Sequence, residues 1–211
     1  AGLHLYYPLS ETSGSVANAQ LLPAGSGTPP WPLACTMRFN GSDTFVQLPS
    51  PSAAVPQPAL SADFTAGFTL EAWVYCDEAS SWARIIEIGN SPGADNIVLY
   101  RNNTSNEIIL SVFRGAVAES IVGTNALAPG GWLHLAATLG PPDSDGRGTV
   151  TLYQNGAVLV SGRMSLPKDV VRSQCYIGKS AWTGATLFKG RMSEVRIWTR
   201  ARSQAELQST M

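Results

Sequence analysis

The stretch from Phe188 to Leu207, FKGRMSEVRIWTRARSQAEL, changes its periodicity partway along, and this change limits how the chain can fold. Polar and apolar residues first alternate, which predicts a β-strand with Met192 on one face and Val195 on the other. Ser203 and Glu206 then have the spacing of a capping box, which predicts a helix of about two turns. Because one strand is not stable alone, the preceding residues must supply a sheet for it.

Short runs of alternating, β-branched and aromatic residues recur along the rest of the chain, as is typical of strands. The clearest is Phe68–Cys76, FTLEAWVYC, in which every second residue is apolar. Asn155-Gly156 has the residues that a type I′ turn requires and predicts a two-residue hairpin loop. The Pro- and Gly-rich residues 10–33 and residues 49–58 are predicted to be surface loops. The other predicted strands are Leu3–Tyr7, Ala34–Phe39, Thr44–Leu48, Arg84–Gly89, Asn96–Tyr100, Glu107–Phe113, Glu119–Val122, Trp132–Leu139, Thr149–Gln154, Ala157–Ser161 and Gln174–Ile177.

Many short strands followed by one terminal helix favour an all-β fold, an antiparallel β-sandwich. The chain has 211 residues, a length typical of one such domain, and we predict a single domain over residues 1–211. The formal net charge is −1 without a basic stripe, so nucleic acid is not an expected partner. No apolar run approaches the roughly 18 residues of a membrane helix, so membrane insertion is not expected. The chain does not begin with methionine, so we expect a mature chain or a domain cut from a larger protein.

The three cysteines, Cys35, Cys76 and Cys175, allow at most one internal disulfide. No two of them form a CxxC pair, so a zinc site is not expected. Cys76 ends one predicted strand and Cys175 begins another, so these two would come within bonding reach if the strands were antiparallel neighbours. The alternative is that the cysteines are buried as small apolar residues.

Five segments, in their order and spacing, resemble the laminin-G-like domains of the concanavalin A-like lectin and glucanase superfamily, of the pentraxin-related type. The segments are FTLEAWVYC (68–76), GGWLHLAATL (130–139), TVTLYQNGAVLVSG (149–162), CYIGKS (175–180) and FKGRMSEVRIWTRARSQAEL (188–207). This resemblance implies a jelly-roll sandwich of two sheets. Domains of this class mostly bind carbohydrates or proteins outside the cell. It therefore implies a glycan or an extracellular protein as partner, and a secreted or cell-surface location.

The resemblance also implies a possible calcium site. Members of the family often carry Asp at the position of Ser193, where it helps to hold a structural calcium with groups from an early turn. Serine lacks the charge that hard cations favour, which weakens the case for Ca²⁺ in this chain. Asn40, Asp43 and Glu194 are the remaining candidate ligands.

Two tryptophans in predicted loops, Trp82 and Trp182, are the candidate platforms for a saccharide. Sugar C–H groups pack on aromatic rings, and sugar hydroxyls need hydrogen-bond partners. The polar candidates from neighbouring loops are Asp95, Asn96, Asn102 and Asn103. The alternative is that each indole only covers an edge of the sandwich. The favoured interpretation is a lectin-like or adhesion module without enzymatic activity.

Two other functions remain open. A protein–protein adhesion domain without a sugar site would expose an apolar patch. A retaining glycoside hydrolase on this fold would need two carboxylates about 5–5.5 Å apart. Glu71 and Glu87, each on a predicted strand, are the candidate acid and base for such an enzyme.

Overall fold

The computed structural model describes residues 4–7, 16–18, 36–48 and 63–211, and the regular structure in these ranges is almost entirely β. The predicted fold class, a β-sandwich with one short C-terminal helix, is confirmed. The predicted loop at 49–58 and Cys35 lie outside the described residues. The strands are β1 His4–Tyr7, β2 Val16–Asn18, β3 Met37–Asn40, β4 Phe45–Gln47, β5 Phe68–Cys76, β6 Arg84–Gly89, β7 Ile97–Arg101, β8 Ile108–Arg114, β9 Val117–Gly123, β10 Trp132–Leu139, β11 Arg147–Gln154, β12 Ala157–Ser165, β13 Gln174–Ile177 and β14 Lys189–Trp198, and the helix α1 is Gln204–Gln208.

The strands form two seven-stranded sheets that enclose one apolar core. The first sheet has the order β1-β14-β5-β10-β11-β12. Its seventh strand, β3, pairs with the first half of β14, and β1 pairs with the second half. The second sheet has the order β2-β4-β13-β6-β7-β8-β9. The described strand pairs are antiparallel apart from β2 with β4. Strand β2 lies inside the predicted loop 10–33, and its three residues are too few for alternation to be visible in the sequence.

The alternation predicted for β5 is confirmed, because Phe68, Leu70, Ala72, Val74 and Cys76 are all buried in the core. The residues between them lie on the outer face, which here means the face of a sheet turned away from the core. The predicted two-residue hairpin also forms. Asn155 and Gly156 link β11 to β12 with φ of 49° and 72°, as a type I′ turn requires.

The faces predicted for β14 are wrong beyond its first half. Met192, Val195 and Ile197 are all buried in the core, although Met192 and Val195 were assigned to opposite faces. A β-bulge between Ser193 and Arg196 adds one residue to this strand, and Glu194 within it has a φ of 51°. A bulge reverses the alternation that follows it, so a regular period of two cannot describe this strand.

The helix α1 packs on the outer face of the first sheet. Ser203 and Glu206 form the predicted capping box, in which the Ser203 hydroxyl accepts from the Glu206 amide and the Glu206 carboxylate accepts from the Ser203 amide. The one buried side chain of α1, Leu207, packs with Ala136 and Tyr153 of the sheet. Hydrogen bonds from Arg200 and Ser203 lower the pKa of Glu206 to about 2, so the cap is ionised at neutral pH.

A buried ion network fastens the segment before α1 to the same face. Glu71 of β5 is fully buried, and its Oε1 accepts hydrogen bonds from Trp198 Nε1 and Arg202 Nη1, both at 2.7 Å. His134 Nε2 lies 3.3 Å from Oε2. Burial by itself raises the pKa of Glu71, but contact with His134 and the charges of Arg196 and Arg202 outweigh it, so this pKa lies below its ordinary value. The carboxylate is therefore ionised in the folded protein at neutral pH.

Cys76 and Cys175 are buried free thiols, as the interpretation of the cysteines as small apolar residues expects, and the hypothesis of a disulfide between them is wrong. Cys76 ends β5, which pairs with β10 and β14 of the first sheet, whereas Cys175 lies in β13, which pairs with β4 and β6 of the second. The two strands are therefore not neighbours. Burial raises the pKa of the Cys76 thiol and raises that of Cys175 to about 12.

We expect neither Cys76 nor Cys175 to react with iodoacetamide in the folded protein, because the thiolate is the reactive form and both thiols are buried. Peptide mass mapping after labelling would show both residues unmodified without denaturant and both modified in concentrated guanidinium chloride. A peptide pair crosslinked through Cys76 and Cys175, or fast labelling of either residue in the folded protein, would contradict this expectation.

Candidate functional site

The outer face of the second sheet carries aromatic rings around Arg84. The Cζ atom of Arg84 is 4.6 Å from the centre of the Tyr100 ring and 5.4 Å from that of Trp182. The ring of Trp82 lies 6.2 Å from Tyr100, and that of Phe113 lies 5.4 Å from Trp182. We call the surface formed by these five residues the arginine face.

Strand register brings the two central residues of this surface together. Tyr100 of β7 is directly opposite Arg84 of β6, and Val98 is opposite Glu87. A β-bulge between Arg84 and Ile86 turns both Arg84 and Glu87 to the outer face, although three positions separate them. Plain alternation would place them on opposite faces, which is why sequence periodicity does not group them.

Glu87 lies beneath the arginine face and joins its parts. Its side chain is fully buried, and it accepts hydrogen bonds from Arg84 Nε at 3.1 Å, Ser180 Oγ at 3.1 Å and the Ala181 amide at 2.9 Å. Burial raises the pKa of Glu87, and the Ala181 amide and Arg84 offset this only in part. One carboxyl group thus orients the guanidinium and fixes the loop that carries Trp182.

The structure places both predicted platform residues, Trp82 and Trp182, on the arginine face. The indole of Trp82 is 40% exposed, and its backbone has a φ of 56° in the turn before β6. Asn103 holds this turn, because its carbonyl accepts from the Trp82 amide at 3.3 Å and its Oδ1 accepts from Ser81 Oγ at 2.8 Å. Trp182 is half-buried, and its amide donates to Ser180 Oγ at 3.0 Å.

The four predicted polar residues separate into two pairs. Asn102 and Asn103 follow β7, next to Trp82, whereas Asp95 and Asn96 precede it. Asn96 and Asn102 flank this five-residue strand, so they are about 20 Å apart at the usual rise per residue. Asn96 is fully buried, and its amide group accepts from the Asn90 amide and donates to the Ser91 carbonyl. Asn96 therefore shapes the loop before β7 and has no side-chain atom open to a ligand.

Asp95 and Asn102 also serve their own loops. Asp95 accepts a hydrogen bond from the Gly115 amide and lies 3.2 Å from Lys168 Nζ. Asn102 Nδ2 donates to Glu107 Oε2 at 2.5 Å. Of the polar candidates, Asn103 is thus the one with a direct structural connection to Trp82.

A row of hydroxyl groups crosses the sheet next to the rings. Ser111 of β8 is opposite both Val98 of β7 and Ser120 of β9. Its Oγ lies 3.1 Å from Tyr100 Oη and 2.7 Å from Ser120 Oγ, so the three hydroxyls form a hydrogen-bonded chain. Ser120 is exposed at its end. The row adds groups that can both donate and accept hydrogen bonds beside the aromatic surface.

The three candidate calcium ligands do not form one site. Asn40 Oδ1 accepts hydrogen bonds from the Ser42, Asp43 and Thr44 amides, and Asn40 Nδ2 donates to Asp43 Oδ1 at 2.6 Å. Asn40 is paired with Lys189 of β14. Glu194 lies five positions further along, about 16 Å away at the usual rise per residue, and forms an ion pair with Arg196 at 2.7 Å. These donors therefore do not fit a shared Ca²⁺ ion.

Glu71 and Glu87 cannot act together as an acid and a base, which corrects their assignment as a candidate pair. Glu71 lies on the outer face of the first sheet and Glu87 on the outer face of the second, with the core between them. Packed sheets are about 10 Å apart. The two carboxyl groups are therefore further apart than the spacing of about 5–9.5 Å that glycosidases use.

Sequence reasoning missed Arg84, Tyr100 and Phe113 as members of the candidate site. Tyr100 and Phe113 look like ordinary strand aromatics in the sequence, and Arg84 looks like a polar first residue of a strand. The pairing of β6 with β7 and of β7 with β8, together with the bulge in β6, brings them to one surface. Aromatic residues at outer positions of adjacent strands are the one signal that could have indicated it.

The two seven-stranded sheets and their strand orders place the chain in the class of jelly-roll β-sandwiches. Within this class it belongs to the concanavalin A-like lectin/glucanases superfamily, whose family model matches residues 40–208. The resemblance seen in the sequence is thereby confirmed. No curated protein sequence matches the chain. None of the helices in the described ranges is long and apolar enough to span a membrane.

Several solved structures share this fold at low sequence identity. The Ruminococcus gnavus IT-sialidase CBM40 bound to α2,3-sialyllactose is 14% identical, with a TM-score of 0.64 and coverage of 83% of this chain and 96% of the other. A leech intramolecular trans-sialidase is 13% identical, with a TM-score of 0.62 and coverage of 83% and 26%. Domain 4 of AbnA, an extracellular GH43 arabinanase from Geobacillus stearothermophilus, in complex with arabinotriose, is 17% identical, with a TM-score of 0.58 and coverage of 82% and 74%.

Proposed function

We propose that the chain is a glycan-binding module and that the arginine face holds the saccharide. The observation that carries this proposal is the exposed ring of Trp82 together with the half-buried rings of Tyr100 and Trp182 around one fixed guanidinium. Aromatic rings accept the C–H faces of sugars, and the guanidinium and the nearby hydroxyls can bind sugar oxygens.

Preorganisation supports the same proposal. Glu87 fixes both Arg84 and the loop with Trp182, and Asn103 fixes the turn with Trp82. A surface whose loops are already ordered loses little conformational entropy when a ligand binds. The polar residues of the proposed site are Arg84, Ser120 and Asn103, with the buried Ser111 linking Ser120 to Tyr100.

The solved neighbours add support of a coarser kind. The CBM40 structure holds sialyllactose and the AbnA domain holds arabinotriose, and the arabinanase is an extracellular protein. By analogy of fold, we propose that this chain too acts outside the cell and has no catalytic activity of its own. Calcium has no assigned part in the proposed mechanism, because the candidate donors do not converge.

The experiment is a glycan array followed by titration calorimetry with the best ligand, in calcium and again in a chelator. We expect Trp82→Ala and Trp182→Ala each to weaken binding by about tenfold to a hundredfold, because an aromatic contact at the centre of an interface contributes about 1.5–3 kcal/mol. Trp132→Ala is the matched control, because Trp132 is also a half-buried indole but lies on the first sheet. This variant should bind the ligand with the affinity of the wild type.

The outcomes separate the alternatives. Unchanged affinity in both loop variants, with the wild-type circular dichroism spectrum, would move the site away from the arginine face. Loss of binding in the chelator would show that a metal takes part. If no glycan binds in either condition, the proposal fails and the adhesion alternative becomes the better one, with the exposed valines Val117, Val122 and Val158 of the edge strands β9 and β12 as the surface to test.

A further inference from the structure

We propose that the arginine face selects saccharides that carry a carboxylate, and that Arg84 Nη2 is the group that binds this carboxylate. The inference rests on the proposed function, because it names the class of ligand for the same surface. The solved neighbours do not decide it, since one holds an acidic saccharide and another a neutral one.

The guanidinium of Arg84 has one nitrogen without a partner. Its Nε donates to Glu87 at 3.1 Å, and its Nη1 donates to the Trp82 carbonyl at 2.6 Å. Nη2 makes no hydrogen bond to any residue in the part of the chain that the structure describes, and part of its surface is accessible to solvent. The open donor is therefore available at the surface, beside the rings that form the proposed sugar platform.

The surroundings of Arg84 hold this donor in one orientation. The residue is only 7% exposed, its guanidinium contacts the rings of Tyr100 and Trp182, and Glu87 anchors it from below. Nη2 carries two N–H groups held in the rigid guanidinium plane, and these can donate charge-assisted hydrogen bonds to a carboxylate. Because the burial of Arg84 against these rings excludes most water, an anion that reaches Nη2 interacts more strongly than it would in bulk solvent.

The charge of this outer face favours an anion. Both oxygens of Glu87 are already engaged by Arg84, Ser180 and Ala181, so Glu87 is not free to occupy Nη2. A second cation, Lys179, lies with its Nζ 4.0 Å from the centre of the Phe45 ring and has no ion pair among the described residues. Lys179 thus adds a positive charge to this outer face beyond the balanced Arg84–Glu87 pair, in a chain whose formal net charge is −1.

The test compares matched acidic and neutral saccharides by titration calorimetry. The pairs are 3′-sialyllactose with lactose, and trigalacturonic acid with its methyl ester. A charge-assisted hydrogen bond to a fixed arginine corresponds to about tenfold to a hundredfold in affinity, so at least one acidic ligand should bind that much more tightly than its neutral partner. This preference should persist at moderate salt, because the contact is shielded by the rings.

Two variants address Arg84 directly. Arg84→Lys keeps the charge but lacks the planar array of donors, and should reduce the preference to within about threefold. The double variant Arg84→Met with Glu87→Gln removes both members of the buried pair, so that no unpaired carboxylate destabilises the fold, and should abolish the preference. Lys179→Gln is the matched control, and it should keep most of the preference because Lys179 contacts rings outside the arginine face.

Each outcome decides the inference. A preference for the acid that the Arg84 variants lose and Lys179→Gln keeps supports it. Equal affinity for acidic and neutral partners would overturn it while leaving the proposed glycan-binding function intact. Equal loss in Lys179→Gln and Arg84→Lys would also overturn it, because the preference would then arise from the general charge of the face. Absence of binding to every saccharide would overturn both proposals together.

Discussion

Replacing Glu71 by alanine is expected to lower the free energy of unfolding by about 3–5 kcal/mol, the cost of removing one partner from a buried ion network. The carboxylate is fully buried and balances the charge of Arg202 at 2.7 Å, with Arg196 nearby. Without it, the Arg202 guanidinium remains on the outer face of the first sheet beneath the C-terminal segment with its counter-charge removed, whereas Arg196 keeps its ion pair with Glu194. Urea unfolding followed by tryptophan fluorescence measures the change.

Glu78→Ala is the matched control for this substitution. Glu78 is half-exposed and forms its ion pair with Lys189 at 2.8 Å on the surface, where such pairs contribute about 0–1 kcal/mol. An equal loss of stability in Glu71→Ala and Glu78→Ala would show that the buried network contributes no more to the free energy of unfolding than a surface ion pair does.

The same network predicts a pH dependence with a definite sign. The pKa of Glu71 is lower in the folded protein than its ordinary value of 4.5. The stabilisation is therefore fully present above about pH 4.5 and is lost as the pH falls toward the folded-state pKa. The difference in unfolding free energy between the wild type and Glu71→Ala should accordingly be constant near neutral pH and shrink in acid.

Gly190→Ala is expected to have an effect of similar size, about 3–5 kcal/mol, for a steric reason. Gly190 lies near the start of β14 with a φ of 150°, and a Cβ atom there would be 2.0 Å from the backbone oxygen of Tyr75. Neither strand can move aside easily, because Gly190 pairs with Phe39 of β3 on one side and with Cys76 of β5 on the other. The Gly190→Ala protein should therefore melt at a lower temperature than the wild type or fail to fold.

Gly131→Ala provides the comparison for Gly190→Ala. A Cβ atom at Gly131 would have no neighbour within 4 Å, so this substitution should be neutral or slightly stabilising through its effect on the unfolded chain. Thermal unfolding by circular dichroism would measure both variants. Similar melting temperatures for Gly190→Ala and the wild type would mean that β14 and β5 are not packed as closely as described.

Local rules were sufficient for much of the fold. The alternation in Phe68–Cys76, the Asn155-Gly156 turn and the capping box at Ser203 each depend on residues only a few positions apart, so their signals are complete within the sequence. The bulges in β6 and β14 have no such signal, because they are determined by what the neighbouring strands require.

The candidate site was harder to predict for the same reason. Trp82 and Trp182 were identified because indoles among small polar residues are unusual, but nothing local connects them to each other. The connection runs through Glu87, whose hydrogen bonds to Ser180 and Ala181 span 93 and 94 positions in the sequence. Asn96 was included for its polar side chain, and only the packed loop before β7 shows that this side chain is buried.

The position of the Glu71 network and the arginine face on opposite sides of the sandwich affects how this chain can diverge over time. Substitutions on one face have no shared contacts with the other, so their effects on folding and on recognition should add independently. A lineage can therefore exchange residues such as Trp82 or Lys179 for new ones, and acquire a new ligand, without first having to compensate for lost stability. Specificity in this chain is thus free to drift while the scaffold stays constant.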